Sequence, residues 1–247
     1  MPETSSFAGD APAAAGALTE TEFLAAVRRA EPRIAVFDFD GTLWPGDAGS
    51  GFMDWSIETG LLRPERARTL QARHAAYHAG EVDEITICGE MVQIYSGIPE
   101  NKIRDAADRY FREHVEPHLF PTMVSLVREL KAGGAEIWAV SSTNNWVIEA
   151  GVRDLGIVPD RVLAACIATE NGLLTERLVD VPSDEKKAEA LHRSGVRPDA
   201  VFGNSIHDLA MLEVARFPFA INPNEGLLPV ARQRGWPVYF PSSSGPA

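Results

Sequence analysis

The 247 residues predict an α/β protein: a doubly wound, mostly parallel sheet with a small all-helical cap domain inserted after its first strand. Three observations lead there. Short unbroken apolar runs recur along the chain, the pattern of strands buried on both faces. Helical segments separate those runs, as in a Rossmann-like sheet covered on each side. The interval between the first run and the second carries helical periodicity and no strand pattern.

Met1 to Gly16 is rich in Ala, Ser, Gly and Pro and contains no Lys or Arg, so a disordered leader is expected over residues 1–17 rather than a signal peptide. Thr19-Glu-Thr-Glu22 is a capping-box pattern that opens a short helix, ending near Glu31 ahead of Pro32. Ile34 to Phe37 follows as the first strand, and Asp38-Phe-Asp-Gly-Thr42 comes directly after it. Residues 47–116, broken at Gly60, Pro64, Gly80 and Pro99, form the expected cap. Further strands are expected at 135–140, 162–167, 200–202, 219–221 and 237–240. Helices are expected near 122–132, 144–155, 183–194 and 207–216. The core domain is then 18–46 with 117–241, and 242–247 is a flexible tail.

Composition excludes several classes. The chain has 23 Lys and Arg against 35 Asp and Glu, a net charge of −12, which disfavours nucleic acid and anionic lipid as partners. No apolar run is long enough to cross a bilayer. Two distant cysteines, Cys88 and Cys166, give neither a disulfide framework nor a CxxC site. A cytoplasmic protein is expected.

Chemistry concentrates where strands end. Asp38 and Asp40 are two carboxylates at the carboxyl end of a buried strand, where open α/β sheets hold their ligands. Acids so close repel unless a cation lies between them or one keeps its proton. Mg²⁺ suits them, being a hard ion that takes carboxylate and phosphate oxygens; the plain alternative is an acidic turn. Ser141 closes the second strand. Its hydroxyl, with the backbone N–H groups of Ser142 and Thr143, can cradle a phosphate or merely cap a helix. Lys186 and Lys187 open a helix, from which one of them can reach a phosphate or simply face solvent. Asn204 and Asp208 flank a turn after the fourth strand. They can complete a Mg²⁺ shell or serve as turn and cap residues.

Acid pair, hydroxyl, lysine and Asn/Asp, in that order along one sheet edge, resemble the four motifs of the haloacid dehalogenase superfamily. The residues that carry the resemblance are Asp38-Phe-Asp-Gly-Thr42, Val140-Ser141, Lys187 in Lys-Ala-Glu-Ala-Leu191, and Gly203-Asn-Ser-Ile-His-Asp208. It spans roughly residues 33–222. The resemblance implies that Asp38 is a nucleophile forming an aspartyl-phosphate and that Asp40 is the acid and base. It implies Mg²⁺ held by Asp38, the backbone carbonyl of Asp40 and the side chain of Asn204. Thr42, Ser141, Ser142 and Lys187 would take phosphate oxygens, Thr42 also bracing the loop. Asp208 would orient Lys187 or a metal-bound water. Where Asn204 stands the family usually has Asp, which implies weaker Mg²⁺ binding.

The helical insert resembles the cap of the phosphoserine phosphatase-like branch. There an acid shortly after the first motif grips the substrate amine, and Asp47 occupies that place. The cap arginine that grips the substrate carboxylate falls near Met91, with no arginine between Arg73 and Arg104. Phosphoserine is therefore disfavoured. Asp47, Trp44, Phe52, Met91 and Tyr95 are expected to suit a less acidic or cationic leaving group, the plain alternative being cap core packing. His74 and His78 are read as surface residues; His207, next to the fourth motif, either touches substrate or serves at the surface of a helix start. The function implied is a magnesium-dependent phosphomonoesterase hydrolysing a small phosphorylated metabolite. A phosphotransferase or phosphomutase using the same intermediate, or a phosphate-ester binding protein without turnover, are the alternatives.

Overall fold

The computed structural model describes residues 16–242, so the expected leader over 1–15 and the tail over 243–247 lie outside the described residues. Seven strands form one sheet in the order β4-β3-β2-β1-β5-β6-β7. They are β1 (Ile34–Phe37), β2 (Glu136–Asn144), β3 (Val162–Glu170), β4 (Leu173–Asp180), β5 (Ala200–Gly203), β6 (Phe217–Ile221) and β7 (Val238–Tyr239). Every neighbouring pair is parallel except β3 with β4.

β1 lies at the centre, and its side chains show why its sequence is apolar without alternation. Ala35 and Phe37 join one hydrophobic cluster and Val36 joins another on the opposite face. On the first face Phe37, Phe202 and Phe219 stack across three strands in register, with centroids 4.3 and 5.0 Å apart. Phe23 of α1 (Glu20–Ala30) packs edge-on against this ladder. The expected capping box is present at Thr19 and Glu22. α6 (Pro121–Ala132) and α7 (Asn145–Arg153) cover the same face. α8 (Glu185–Arg193), α9 (Leu209–Glu213) and α10 (Leu227–Gln233) cover the other.

Between β1 and β2 the chain is helical, as expected: α2 (Ala48–Glu58), α3 (Pro64–His78), α4 (Glu84–Gln93) and α5 (Glu100–Tyr110), the last running into a π-helical turn at Phe111–Val115. Gly60 and Gly80 take positive φ between helices, Pro64 opens α3 and Pro99 precedes α5. These helices are tied down at several points. Phe52 and Tyr95 stack at 5.5 Å, and Tyr95 meets Trp146 of α7 edge-on at 5.6 Å. The segment joining α4 to α5 bonds to the outer edge of β4, through Gly97 N to Leu174 O at 2.7 Å and Leu174 N to Ile98 O at 3.0 Å.

Three features depart from the sequence reading. β4 is absent from it, because Thr175-Glu-Arg177 at its centre breaks the apolar pattern on an exposed edge strand. The two-residue turn Asn171-Gly172, both at positive φ, is the sequence signal for that hairpin. α10 is also absent, being short and containing Pro229. β2 runs to Asn144, three residues past Ser141, the expected close of the strand. The pairing with β3 slips between Ser141 and Asn144, leaving Ser142 and Thr143 bulged toward the site.

Candidate active site

The carboxyl ends of β1, β2 and β5 and the first turn of α8 bring the four motifs together. Lys187 Nζ donates to Asp38 Oδ1 at 2.8 Å and to Asp208 Oδ1 at 2.5 Å. All three residues are buried, at 2, 4 and 0% exposure. A cation bridging two carboxylates can be buried because each charge has a partner. Lys187, not the half-exposed Lys186, is therefore the lysine of the site. Asp208 is a brace: its Oδ2 accepts the backbone N–H of Asn204 at 2.8 Å and of Ser205 at 2.9 Å, fixing the loop after β5.

Asp40 has a separate environment. Its Oδ1 accepts Trp44 Nε1 at 2.6 Å and Ala48 N at 2.8 Å, and its Oδ2 accepts Thr143 Oγ1 at 2.5 Å. Burial, then Asp47, push its carboxyl up to about 6 against those three donors. Burial, then Asp208, push Asp38 up to about 8, with Asp40 adding to the effect and Lys187 opposing it. Burial by itself would lower the Lys187 ammonium, but Asp208 and Asp38 hold it above its ordinary value. The cavity thus has five carboxyl groups, Asp38, Asp40, Asp47, Glu84 and Asp208, against one ammonium, and its charge is left unbalanced on the negative side.

That imbalance is the observation that fits a divalent cation. Asp38 offers a carboxylate. Asn204 offers an amide that makes no side-chain hydrogen bond among the described residues, and it packs so closely on Gly41 that a Cβ there would lie 1.9 Å from its Nδ2. Among the described residues no three His, Cys, Asp or Glu side chains are grouped to hold a metal. A site here therefore depends on the amide and backbone oxygens beside Asp38.

Asp38, Asp40, Ser141, Ser142, Lys187 and Asn204 line one cavity of about 280 Å³, and Asp208 reaches it behind Lys187. Ser141 Oγ accepts the backbone N–H of Thr143 at 3.1 Å, so that N–H already has a partner within the protein, unlike the free donor expected for a cradle. Thr42 is a correction: it is fully buried, does not line the cavity, and donates its hydroxyl to Asp38 Oδ2 at 3.3 Å, which makes it a brace and not a phosphate contact. Trp44 is another. It is 1% exposed, packed between Phe39 and Phe111, and its role is to hold Asp40. Phe52 is likewise core, stacked on Tyr95 and Trp55. Asp47, Met91 and Tyr95 do line the cavity, and Asp47 also caps α2 through Ser50 N at 2.9 Å. His207, beside the fourth motif, lines the cavity, the substrate-side alternative expected for it, whereas Thr143 as a side chain and Glu84, Tyr77 and His74 as cavity residues are not legible in the sequence. Only the bulge at the end of β2 and the packing of α3 and α4 over the sheet edge bring those four there, and no local pattern encodes either.

The model of the haloacid dehalogenase-like hydrolases matches residues 35–213, from β1 through α9, and takes in every residue of this constellation. The chain belongs to that family. Among relatives of this hydrolase, a histidinol-phosphatase of Neisseria meningitidis serogroup C (strain 8013) is 23% identical over 219 residues, covering 83% of this chain and 97% of the relative. A protein of unknown function from Bordetella pertussis Tohama I superposes with a TM-score of 0.74 at 25% identity, over 84% of this chain and 97% of its own. A substrate-bound phosphoserine phosphatase superposes with a TM-score of 0.57 at 17% identity, over 84% and 92%, a likeness of fold alone.

Proposed function

We propose that this hydrolase is a magnesium-dependent phosphomonoesterase that releases phosphate from a small metabolite through an aspartyl-phosphate at Asp38. The observation that carries the reading is the division of labour between two carboxylates. Asp38 is held by Lys187 and Thr42, while Asp40 lies apart among Trp44, Ala48 and Thr143. Two acids with separate sets of partners can take separate roles, as nucleophile and as acid and base.

A side-chain oxygen of Asp38 attacks phosphorus, and the bond from phosphorus to the leaving oxygen breaks as that oxygen takes the proton of Asp40. Asp40, now ionised, removes a proton from water, which attacks the acyl phosphate; the bond between phosphorus and Asp38 breaks and phosphate departs. Lys187 and the Ser141–Ser142 segment hold the phosphoryl oxygens. Asp38, the backbone carbonyl of Asp40 and the Asn204 side chain would hold Mg²⁺, which when bound neutralises charge on the phosphoryl group and on Asp38. With Asn204 in place of an acid, its affinity is expected to be lower than in an all-carboxylate site. Helices α2 to α5 act as the cap that roofs the cavity and keeps bulk water out.

Two variants probe these parts. Gly41→Ala drives a methyl group into the Asn204 amide at a residue with φ of +74°. It is expected to raise the Mg²⁺ concentration for half-maximal turnover by about tenfold or more, measured by Mg²⁺ titration of aryl phosphate hydrolysis. Thr143→Val removes a donor that favours ionised Asp40. Its acid is expected to stay protonated to higher pH, so the alkaline limb of kcat/KM for an alkyl ester, near pH 6 if Asp40 sets it, moves to higher pH.

The deciding experiment incubates the purified protein, with Mg²⁺ and with EDTA, against a panel of phosphate esters that includes histidinol phosphate and phosphoserine. Mg²⁺-dependent phosphate release is expected. Release from none of them, with the protein folded, contradicts the proposal.

A further inference from the structure

We infer that Glu84 makes this site selective for phosphate esters whose leaving alcohol carries a positive charge and no carboxylate; the inference rests on the phosphatase reading above. Glu84 is the first residue of α4, and its carboxylate enters the wall of the cavity that holds Asp38. A first-turn acid ordinarily serves the helix dipole from the surface. Here Asp83 already caps the helix, accepting Thr86 N at 2.8 Å, and the Glu84 side chain turns inward to 13% exposure.

No Lys or Arg of the described residues pairs with it. Its neighbours are the Cys88 thiol, with Sγ at 3.6 Å, and His207, whose Nε2 is 3.9 Å away, too far for a hydrogen bond. That ring is held from its other side by Asp184, Nδ1 to Oδ1 at 2.7 Å. Burial, then a hydrogen bond to Glu84, then the Glu84 charge push the Tyr77 phenol above its ordinary value. A largely enclosed carboxylate with a thiol and a phenol beside it and no Lys or Arg to balance its charge invites a cation.

The rest of the cavity points the same way. Lys187 is its one permanent cation among the described residues, and both Asp38 and Asp208 occupy it. No arginine lines the wall. Asp47 adds a second carboxylate to the wall, and Met91 offers its sulfur. A leaving group with its own carboxylate would meet Glu84 and Asp47 with only the His74 and His207 rings to set against them, whereas an ammonium or imidazolium would be attracted by both carboxylates.

The test compares kcat/KM of the Mg²⁺-loaded enzyme on ethanolamine phosphate, glycerol phosphate and 3-phosphoglycerate, which carry a cationic, a neutral and an acidic leaving alcohol. The order cationic, neutral, acidic is expected, with the cationic ester ahead of the neutral one by about tenfold or more. Glu84→Gln should shrink that ratio to within about threefold, mainly through KM. Glu84→Lys should turn the preference toward 3-phosphoglycerate, an inversion that loss of packing cannot produce. A wild-type enzyme that hydrolyses glycerol phosphate without favouring the cation overturns the inference while leaving the phosphatase reading in place. A ratio unchanged in Glu84→Gln overturns it equally. Release from none of the three, nor from an aryl phosphate, overturns the phosphatase reading and this inference with it.

Discussion

Asp38→Asn is expected to lower phosphate release by about 10⁴-fold or more while the protein stays folded, because the amide cannot form the acyl phosphate and no other nucleophile stands in its place. Structurally the change is mild. Asn fits the same volume and can still accept from Lys187, which retains Asp208 as its charged partner. It also removes one of the two buried carboxylates that the single Lys187 ammonium has to balance. The melting temperature in the absence of Mg²⁺ is therefore expected to hold or rise, and the stabilisation by Mg²⁺ seen in the wild type to shrink. Circular dichroism melts with and without Mg²⁺, set beside turnover of an aryl phosphate, check both halves. Turnover within tenfold of wild type would remove Asp38 from the chemistry.

Lys187→Met is expected to do the opposite to stability. It keeps the volume and leaves Asp38 and Asp208 facing each other in a buried site with no cation between them. Breaking a buried ion network on one side costs about 3–5 kcal/mol. The sign of the pH dependence follows from the acids. Asp38 is already raised above its unfolded value, to about 8, by burial and then by Asp208. A carboxyl raised on folding costs nothing below its unfolded value near 3.9 and progressively more as pH climbs toward its folded value. Loss of Lys187 removes a term that lowers it. The charge-dependent part of the variant's deficit should therefore change little below about pH 8 and grow as pH rises past it, where Asp38 ionises in the wild type but not in the variant, read by urea denaturation from about pH 6 upward. A deficit that does not vary with pH would mean that lost packing, not lost charge, is the cause.

The sheet and the site were legible in the sequence to different depths. β1 reads as a doubly buried strand because Ala35, Val36 and Phe37 serve two clusters at once, and such a strand has no room for alternation. Asp38, Asp40, Lys187, Asn204 and Asp208 are legible because each follows a strand or opens a helix at one sheet edge, where topology alone brings distant residues together. Trp44 was misplaced for a physical reason: an aromatic near an active site reads as a wall, and only packing shows that its ring is core and its N–H is aimed at Asp40. Thr42 misled in the same way, as a hydroxyl whose direction the motif does not state. Glu84 was invisible because its periodic slot in α4 looks like any first-turn acid, and what turns it inward is the placement of α4 over the sheet edge. β4 was hidden by charges at its centre, which an edge strand tolerates and a buried one does not.

The most direct measurement is to quench turnover in acid, reduce with borohydride and map the peptides by mass spectrometry. An acyl phosphate is reduced to the alcohol, so an aspartyl-phosphate leaves homoserine where the aspartate stood. Homoserine at position 38, formed only when phosphate ester and Mg²⁺ are both present and absent from Asp38→Asn, is the expected result. Steady hydrolysis with residue 38 unmodified, or with the phosphoryl group trapped on another side chain, would contradict a nucleophilic Asp38.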